Sequence, residues 1–160
     1  VPTLIMTKMK LSKNLSLAET IRSATAMRHG IENNPTPEHI VNLMSIAENI
    51  FQPVRDYLGR ALFVSSGYRS AELNSLINGS KTSQHLVGSA LDLDNGDDNY
   101  TVFHYIKDNL DFDQLIWEFG DKHPNWIHVS YVGAENRNQI LRAYKLNGKT
   151  KYELWKNFKG

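Results

Sequence analysis

Two residue types able to bind a metal stand seven positions apart in Ser83-Gln84-His85-Leu86-Val87-Gly88-Ser89-Ala90-Leu91-Asp92, with small residues between them. A chain that turns at Gly88 and enters a strand near Ala90 brings the His85 imidazole and the Asp92 carboxylate toward one point, as nitrogen and oxygen ligands of zinc require. A third protein ligand is then needed, and Trp126-Ile127-His128-Val129-Ser130 offers it. Strand alternation puts Trp126, His128 and Ser130 on one face and Ile127, Val129 and Tyr131 on the other. Zinc in such a site lowers the pKa of a bound water to about 7, which suits hydrolysis if a nearby carboxylate takes the proton and later passes it to the leaving amine.

The preceding strand supplies that carboxylate. Leu115, Trp117 and Phe119 alternate with Ile116 and Glu118. If the apolar faces of the two strands share the core, Glu118 lies on the His128 side of the sheet; a turn centred near His123 would set the two opposite each other, although this loop length does not fix the register uniquely. The competing reading for Glu118 is a structural salt bridge, because an unpaired carboxylate is expensive to bury in so apolar a strand. Asp94, Asp97 and Asp98 with Asn95 and Asn99 look like part of a calcium loop, yet no bidentate glutamate follows at the right distance, so a solvated turn is expected. His29, His39, His104 and His123 lack ligand-like companions, although His123 falls in the loop next to the expected site. Tyr68, Trp117, Trp126 and Tyr131 are expected in the core rather than on a sugar-stacking surface.

The elements that must position these groups are legible from caps and periodicity. Ser16-Leu17-Ala18-Glu19 has capping-box spacing and predicts a helix to about Arg28, ended by Gly30. Thr36 and Pro37 start a second helix, whose apolar stripe runs through Ile40, Leu43, Met44, Ala47, Ile50, Phe51 and Val54. Pro53 is expected to kink it and Gly59 to end it. A short strand is predicted at about 61–64, a turn at Ser66-Gly67-Tyr68-Arg69, and a short helix at about 71–77. A loop leads into a second strand ending near Leu93, followed by a helix at about 100–110 and strands at about 114–119 and 126–131. Asn147-Gly148 predicts a tight hairpin between segments 143–146 and 151–155. Helices precede most strands, so the class is α+β, a mainly antiparallel sheet with flanking helices.

Composition narrows the rest. At 160 residues, one domain over 1–160 is expected, with a core at about 16–131 and the C-terminal hairpin at about 143–155. Eighteen basic against seventeen acidic residues leave a net charge of +1, too little for the positive field that nucleic-acid binding needs. Cysteine is absent, which removes disulfides and thiolate ligands, so any metal must be held by His and carboxylates. No apolar run approaches the roughly 20 residues of a membrane span, and the start, VPTLIMTKMKLSKN, lacks the apolar stretch of a signal peptide.

The S-x-H-x-x-G-x-A-x-D pattern, the upstream Ser66-Gly67-Tyr68-Arg69-Ser70 turn and the downstream Trp126-Ile127-His128 strand resemble the M15 family of zinc peptidases. The family includes D-Ala-D-Ala carboxypeptidases, dipeptidases and phage endolysins that cut L-Ala-D-Glu bonds. The likeness spans about Ser16 to Tyr131, including R-S-A-T-A-M-R-H-G-I-E-N-N-P from Arg22 to Pro35, and is strongest to the small, often phage-encoded branch. It implies a Hedgehog/D-Ala-D-Ala peptidase-like fold, zinc on His85, Asp92 and His128, and Arg69 contacting a substrate carbonyl or carboxylate. It further implies action on the peptidoglycan stem peptide, by a protein made in the cytoplasm for action at the wall or periplasm, or carried by a virion; the oligomeric state is not set by the sequence, and a monomer is expected. The better-known branches place an acidic residue three positions before the last His ligand, where this chain has Asn125. Asn cannot accept a proton, so the general base falls to Glu118, with Asp121 in reserve. Asn125 also motivates the alternative of a non-catalytic zinc-containing module that binds cell wall or virion. Whether the bond cut is terminal or internal is open, since one arginine serves either design.

Overall fold

The computed structural model describes residues 4–155; Val1 and both ends of the expected 1–160 unit lie outside the described residues. Helix α1 (Leu4–Lys8) leads into an antiparallel ribbon of β1 (Lys10–Ser12) and β2 (Leu15–Ser16). Ser16 then caps α2 (Leu17–Ile21) by the expected box: its hydroxyl accepts from the Glu19 N–H, and the Glu19 carboxylate accepts from the Ser16 N–H at 2.8 Å. The helix does not run on to Arg28. Arg22 is extended, and Ser23 caps a separate α3 (Ala24–Arg28), accepting from the Ala26 N–H. The break has a local cause, because the Ile21 carbonyl that a continuous helix would use is taken by the buried Asn33 amide at 2.8 Å.

Thr36 caps α4 (Pro37–Ile46), with His39 closing the box. The helix passes through a π-helical turn (Ala47–Phe51) into α5 (Gln52–Leu58) and ends at Gly59, whose φ is 70°. The wide turn accommodates Pro53, whose missing N–H and bulky ring would otherwise break an α-helical ladder. Beyond it come β3 (Val64–Ser66), α6 (Ala71–Leu76), a 3₁₀ turn (Gln84–Val87), β4 (Ala90–Leu93) and α7 (Asn99–Asn109). Strand β3 starts later than expected because Asn95 occupies the backbone before it, accepting from the Phe63 N–H and donating to the Ala61 carbonyl.

Strands β5 (Gln114–Glu118), β6 (Trp126–Ser130), β7 (Gln139–Leu146) and β8 (Lys149–Leu154) complete a six-stranded sheet in the order β3-β4-β6-β5-β7-β8. The class is α+β and the sheet is mainly antiparallel as expected, made mixed by one pair, since β7 runs parallel to β5. The reason lies before β7: Arg137 is tied to Asp113, and the Asn138 and Gln139 N–H groups donate to the Phe112 and Asp113 carbonyls, which sends the chain up beside β5 from its beginning. The β7–β8 hairpin turns at Asn147-Gly148 with both residues at positive φ, as the two-residue loop demands.

One sheet face is buried by the helices. Leu91, Leu93, Leu115, Trp117, Ile127 and Val129 meet Leu43, Ile46, Ile50 and Phe51 from the α4–α5 helix and Val102, Phe103 and Ile106 from α7. Phe119 does not join them; it leaves the strand at a φ of 60° and lines the opposite side. No helix among the described residues is long and apolar enough to cross a membrane.

Gly88 couples this core to the site. It ends the 3₁₀ turn at a φ of 77°, and a Cβ there would lie 2.6 Å from the His39 carbonyl oxygen and 3.1 Å from Leu43 Cγ. Gly88→Ala therefore combines a disfavoured backbone region with a backbone clash and is expected to destabilise the protein by about 2–4 kcal/mol, read as a lower denaturant midpoint.

Candidate metal centre

The face of the sheet away from the helices forms a cleft of about 940 Å³. His85 enters it from the 3₁₀ turn, Asp92 from β4, and His128 and Glu118 from β6 and β5. Asp92 is the Cα partner of His128, so carboxylate and imidazole stand side by side across the β4–β6 pair. Asp92 Oδ1 lies 3.2 Å from His85 Nε2 and 3.1 Å from His128 Nδ1, and among the described residues these three side chains have ligand atoms all within 4.8 Å of one another.

The supports of this cluster fix its chemistry. His85 is 1 % exposed, and its Nδ1 lies 2.6 Å from the Gly67 carbonyl oxygen. A carbonyl only accepts, so Nδ1 carries a proton, which leaves Nε2 as the nitrogen that faces the cluster and can become the metal ligand. The Gly67 carbonyl is itself pinned: a Cβ on Gly67 would fall 2.3 Å from the Thr20 carbonyl oxygen, to which the Tyr68 N–H donates at 2.8 Å. Asn33 holds the same turn, donating to the Tyr68 carbonyl and accepting from the Ser70 N–H at 2.7 Å. On the other side, Gln84 donates to Asp113, whose carboxyl is pulled to about 2 by its hydrogen bond to Arg137, against the burial that raises it. Burial alone would push the Asp92 carboxyl up, but the His85 and His128 imidazoles hold it well below the usual carboxylate range. A pair of oriented imidazoles and an ionised carboxylate form a donor set suited to a divalent ion of borderline softness.

Glu118 is 7 % exposed, and among the described residues its carboxylate makes no hydrogen bond or ion pair. The salt bridge that would make it purely structural is not formed. Burial raises its carboxyl to about 7, with His128 opposing and Asp92 reinforcing the shift. It faces Trp126 across the β5–β6 pair, while Ile116 faces His128, so Glu118 sits one two-residue step from the expected position but on the expected side. Asp121 does not line the cleft: it is exposed and lies 3.6 Å from Arg142. Asn125 is likewise outside it, its N–H donating to the Glu118 carbonyl in the tight 119–125 loop.

Arg69 is mostly buried at the cleft wall. Its Nη2 lies 3.9 Å from Asp92 Oδ2, Nη1 donates to Asn74 at 3.0 Å, and Nε is buried without a hydrogen-bond partner among the described residues. Burial lowers its pKa and Asp92 opposes this. Several neighbours were not visible as site residues in the sequence. Asn33, Gln84 and Asp113 act through contacts distant along the chain, while Arg137, Leu141, Lys145, Thr150 and Tyr152 reach the cleft through the parallel pairing of β7. Alternation in the terminal hairpin was the one available signal for the last group.

The remaining expectations sort cleanly. Trp117 and Tyr68 are in the core, whereas Trp126 is half-buried in the cleft wall. His123 pairs with Asp97 at 3.2 Å instead of entering the cleft. The acidic stretch is a hydrogen-bonded turn: Asp94 accepts from Gly96 and Asn99, and Asp98 pairs with Arg60.

A family model described as Peptidase M15 matches residues 13–130, about three quarters of the chain and the span that carries Arg69, His85, Asp92, Glu118 and His128. No curated protein matches the chain.

Proposed function

Because the chain belongs to the Peptidase M15 family, a family of metallopeptidases, we propose that it is a zinc peptidase that hydrolyses a peptide bond in the stem peptides of bacterial peptidoglycan. The bond is of the D-Ala-D-Ala carboxypeptidase or L-Ala-D-Glu endopeptidase type, as in phage lysis enzymes. What carries the reading is the coexistence, in one cleft, of a three-ligand cluster and an unpaired, buried glutamate.

His85, Asp92 and His128 would hold the zinc, with His85 fixed in the correct tautomer by Gly67. When bound, the metal supplies a Lewis acid that polarises the scissile carbonyl and acidifies water. Glu118 accepts the proton of the attacking water and returns it to the amine nitrogen as the C–N bond breaks, a role that suits a buried carboxylate facing the cleft. Arg69 donates to a substrate carbonyl or carboxylate, for which its place in the cleft lining beside Asp92 qualifies it.

The test is digestion of purified peptidoglycan by the zinc-loaded protein, with released fragments read by mass spectrometry. New amino and carboxyl ends are expected, free D-Ala marking the carboxypeptidase and shortened stems the endopeptidase. Intact peptidoglycan that the protein still sediments with would replace this reading by the non-catalytic wall-binding module that Asn125 suggests.

A further inference from the structure

The β7–β8 hairpin forms one wall of the cleft, and it lies beyond residue 130, where the family match ends. In the register, Glu118 pairs with Ala143 and Ala143 with Tyr152, while His128, Ile116 and Leu141 form the adjacent row. Residues paired in this way share a sheet face, so the floor around the metal cluster continues onto the hairpin without a step. Lys145 stands two residues beyond Ala143, about 7 Å further along β7, and pairs with Thr150.

The charges in the cleft are unevenly satisfied. Arg137 is neutralised by two hydrogen bonds to Asp113, and Arg69 lies against Asp92. Lys145 donates to the Thr150 hydroxyl at 2.8 Å and lies 5.5 Å from the centre of the Phe119 ring, and among the described residues it pairs with no carboxylate. Both contacts orient the ammonium without cancelling its charge. An oriented cation at the far end of a cleft, a few extended residues from the metal cluster, is suited to an anion that arrives with the substrate.

Resting on the peptidase reading above, we propose that the hairpin is a specificity wall and that Lys145 binds a carboxylate carried by the substrate peptide. The test uses fluorescein-labelled L-Ala-γ-D-Glu-L-Lys-D-Ala with its glutamyl α-carboxyl free or amidated, bound to zinc-loaded Glu118→Gln protein so that turnover does not intrude. Anisotropy at low salt is expected to show the free acid binding about fivefold tighter than the amide, the scale of a solvent-facing ion pair. Adding Lys145→Met should abolish that preference, Lys145→Arg should keep it, and Lys149→Met, which removes an exposed charge outside the cleft, should leave it unchanged. No preference in the parent, or a preference that survives Lys145→Met, overturns the proposal. Hydrolysis of the two peptides by the unsubstituted protein is followed in parallel. A lost preference without any hydrolysis keeps Lys145 as a carboxylate site and refutes the peptidase; hydrolysis with the preference intact in Lys145→Met does the reverse.

Discussion

Protein carrying His128→Ala is expected to lose stoichiometric zinc after dialysis and to lose roughly a thousandfold or more of its peptide hydrolysis, while its circular dichroism stays that of the parent. The three ligands come from separate elements, so deletion of one leaves a two-ligand site: among the described residues no other group of metal-binding side chains forms there, and Ile116, across from His128 on β5, is apolar. His128 is the cleanest position for this test. Its side chain is 13 % exposed, whereas His85 is buried at 1 % and also satisfies the Gly67 carbonyl, so that His85→Ala would add a structural loss to the chemical one. Asp92→Asn should fail similarly for a different reason. It keeps an oxygen but gives up the negative charge that the two imidazoles hold in place in the metal-free protein. A chelator should reproduce the activity loss and added zinc should reverse it in the parent alone. Zinc bound at parental affinity by the His128→Ala variant would remove the basis of the metal centre.

How much of this site could be read in advance depends on what places each residue. His85, Asp92 and His128 were legible because local rules put them there: a glycine that must turn, a strand that begins at Ala90 and an alternation that aims His128 away from the core. Glu118 was legible as to face but not as to partner. A hairpin centred on residue 123 pairs it with His128, and one centred on residue 122 pairs it with Trp126, as observed. The shift arises because Phe119 and Gly120 take positive φ and Asn125 closes back onto Glu118, which tightens the loop. An even register shift preserves the face, so Glu118 lies on the expected side of the sheet although its partner is Trp126. The α+β class and the mainly antiparallel sheet held for a similar reason, while the one parallel pair, β5 with β7, was not legible, since the direction of β7 is set by Arg137 gripping Asp113, a pair 24 residues apart that no periodicity announces. The break at Arg22 was equally hidden, because the competing acceptor is claimed by Asn33.

Glu118→Gln separates catalysis from metal binding. The variant should retain zinc at parental stoichiometry and lose about 10²- to 10⁴-fold in kcat, because an amide fills the same space but takes no proton. Parental turnover in this variant would move the base elsewhere. Stability gives a second, independent reading of the same residue. Burial raises the folded-state carboxyl from 4.5 to about 7, so the folded metal-free protein binds the Glu118 proton more tightly than the unfolded chain does. The stabilisation linked to that proton is complete below pH 4.5, declines as pH rises through 7 and is gone above it. A shift of that size corresponds to about 3 kcal/mol between the two ends of the window. Glutamine does not titrate. With zinc removed, Glu118→Gln should therefore gain about 3 kcal/mol over the parent on going from pH 4.5 to pH 8, measured by denaturant unfolding, while titrating groups not coupled to Glu118 cancel in the comparison. Parallel stability curves across that window would mean that the Glu118 carboxylate is already solvated in the cleft, and a solvated glutamate would have no raised affinity for the proton it is asked to shuttle.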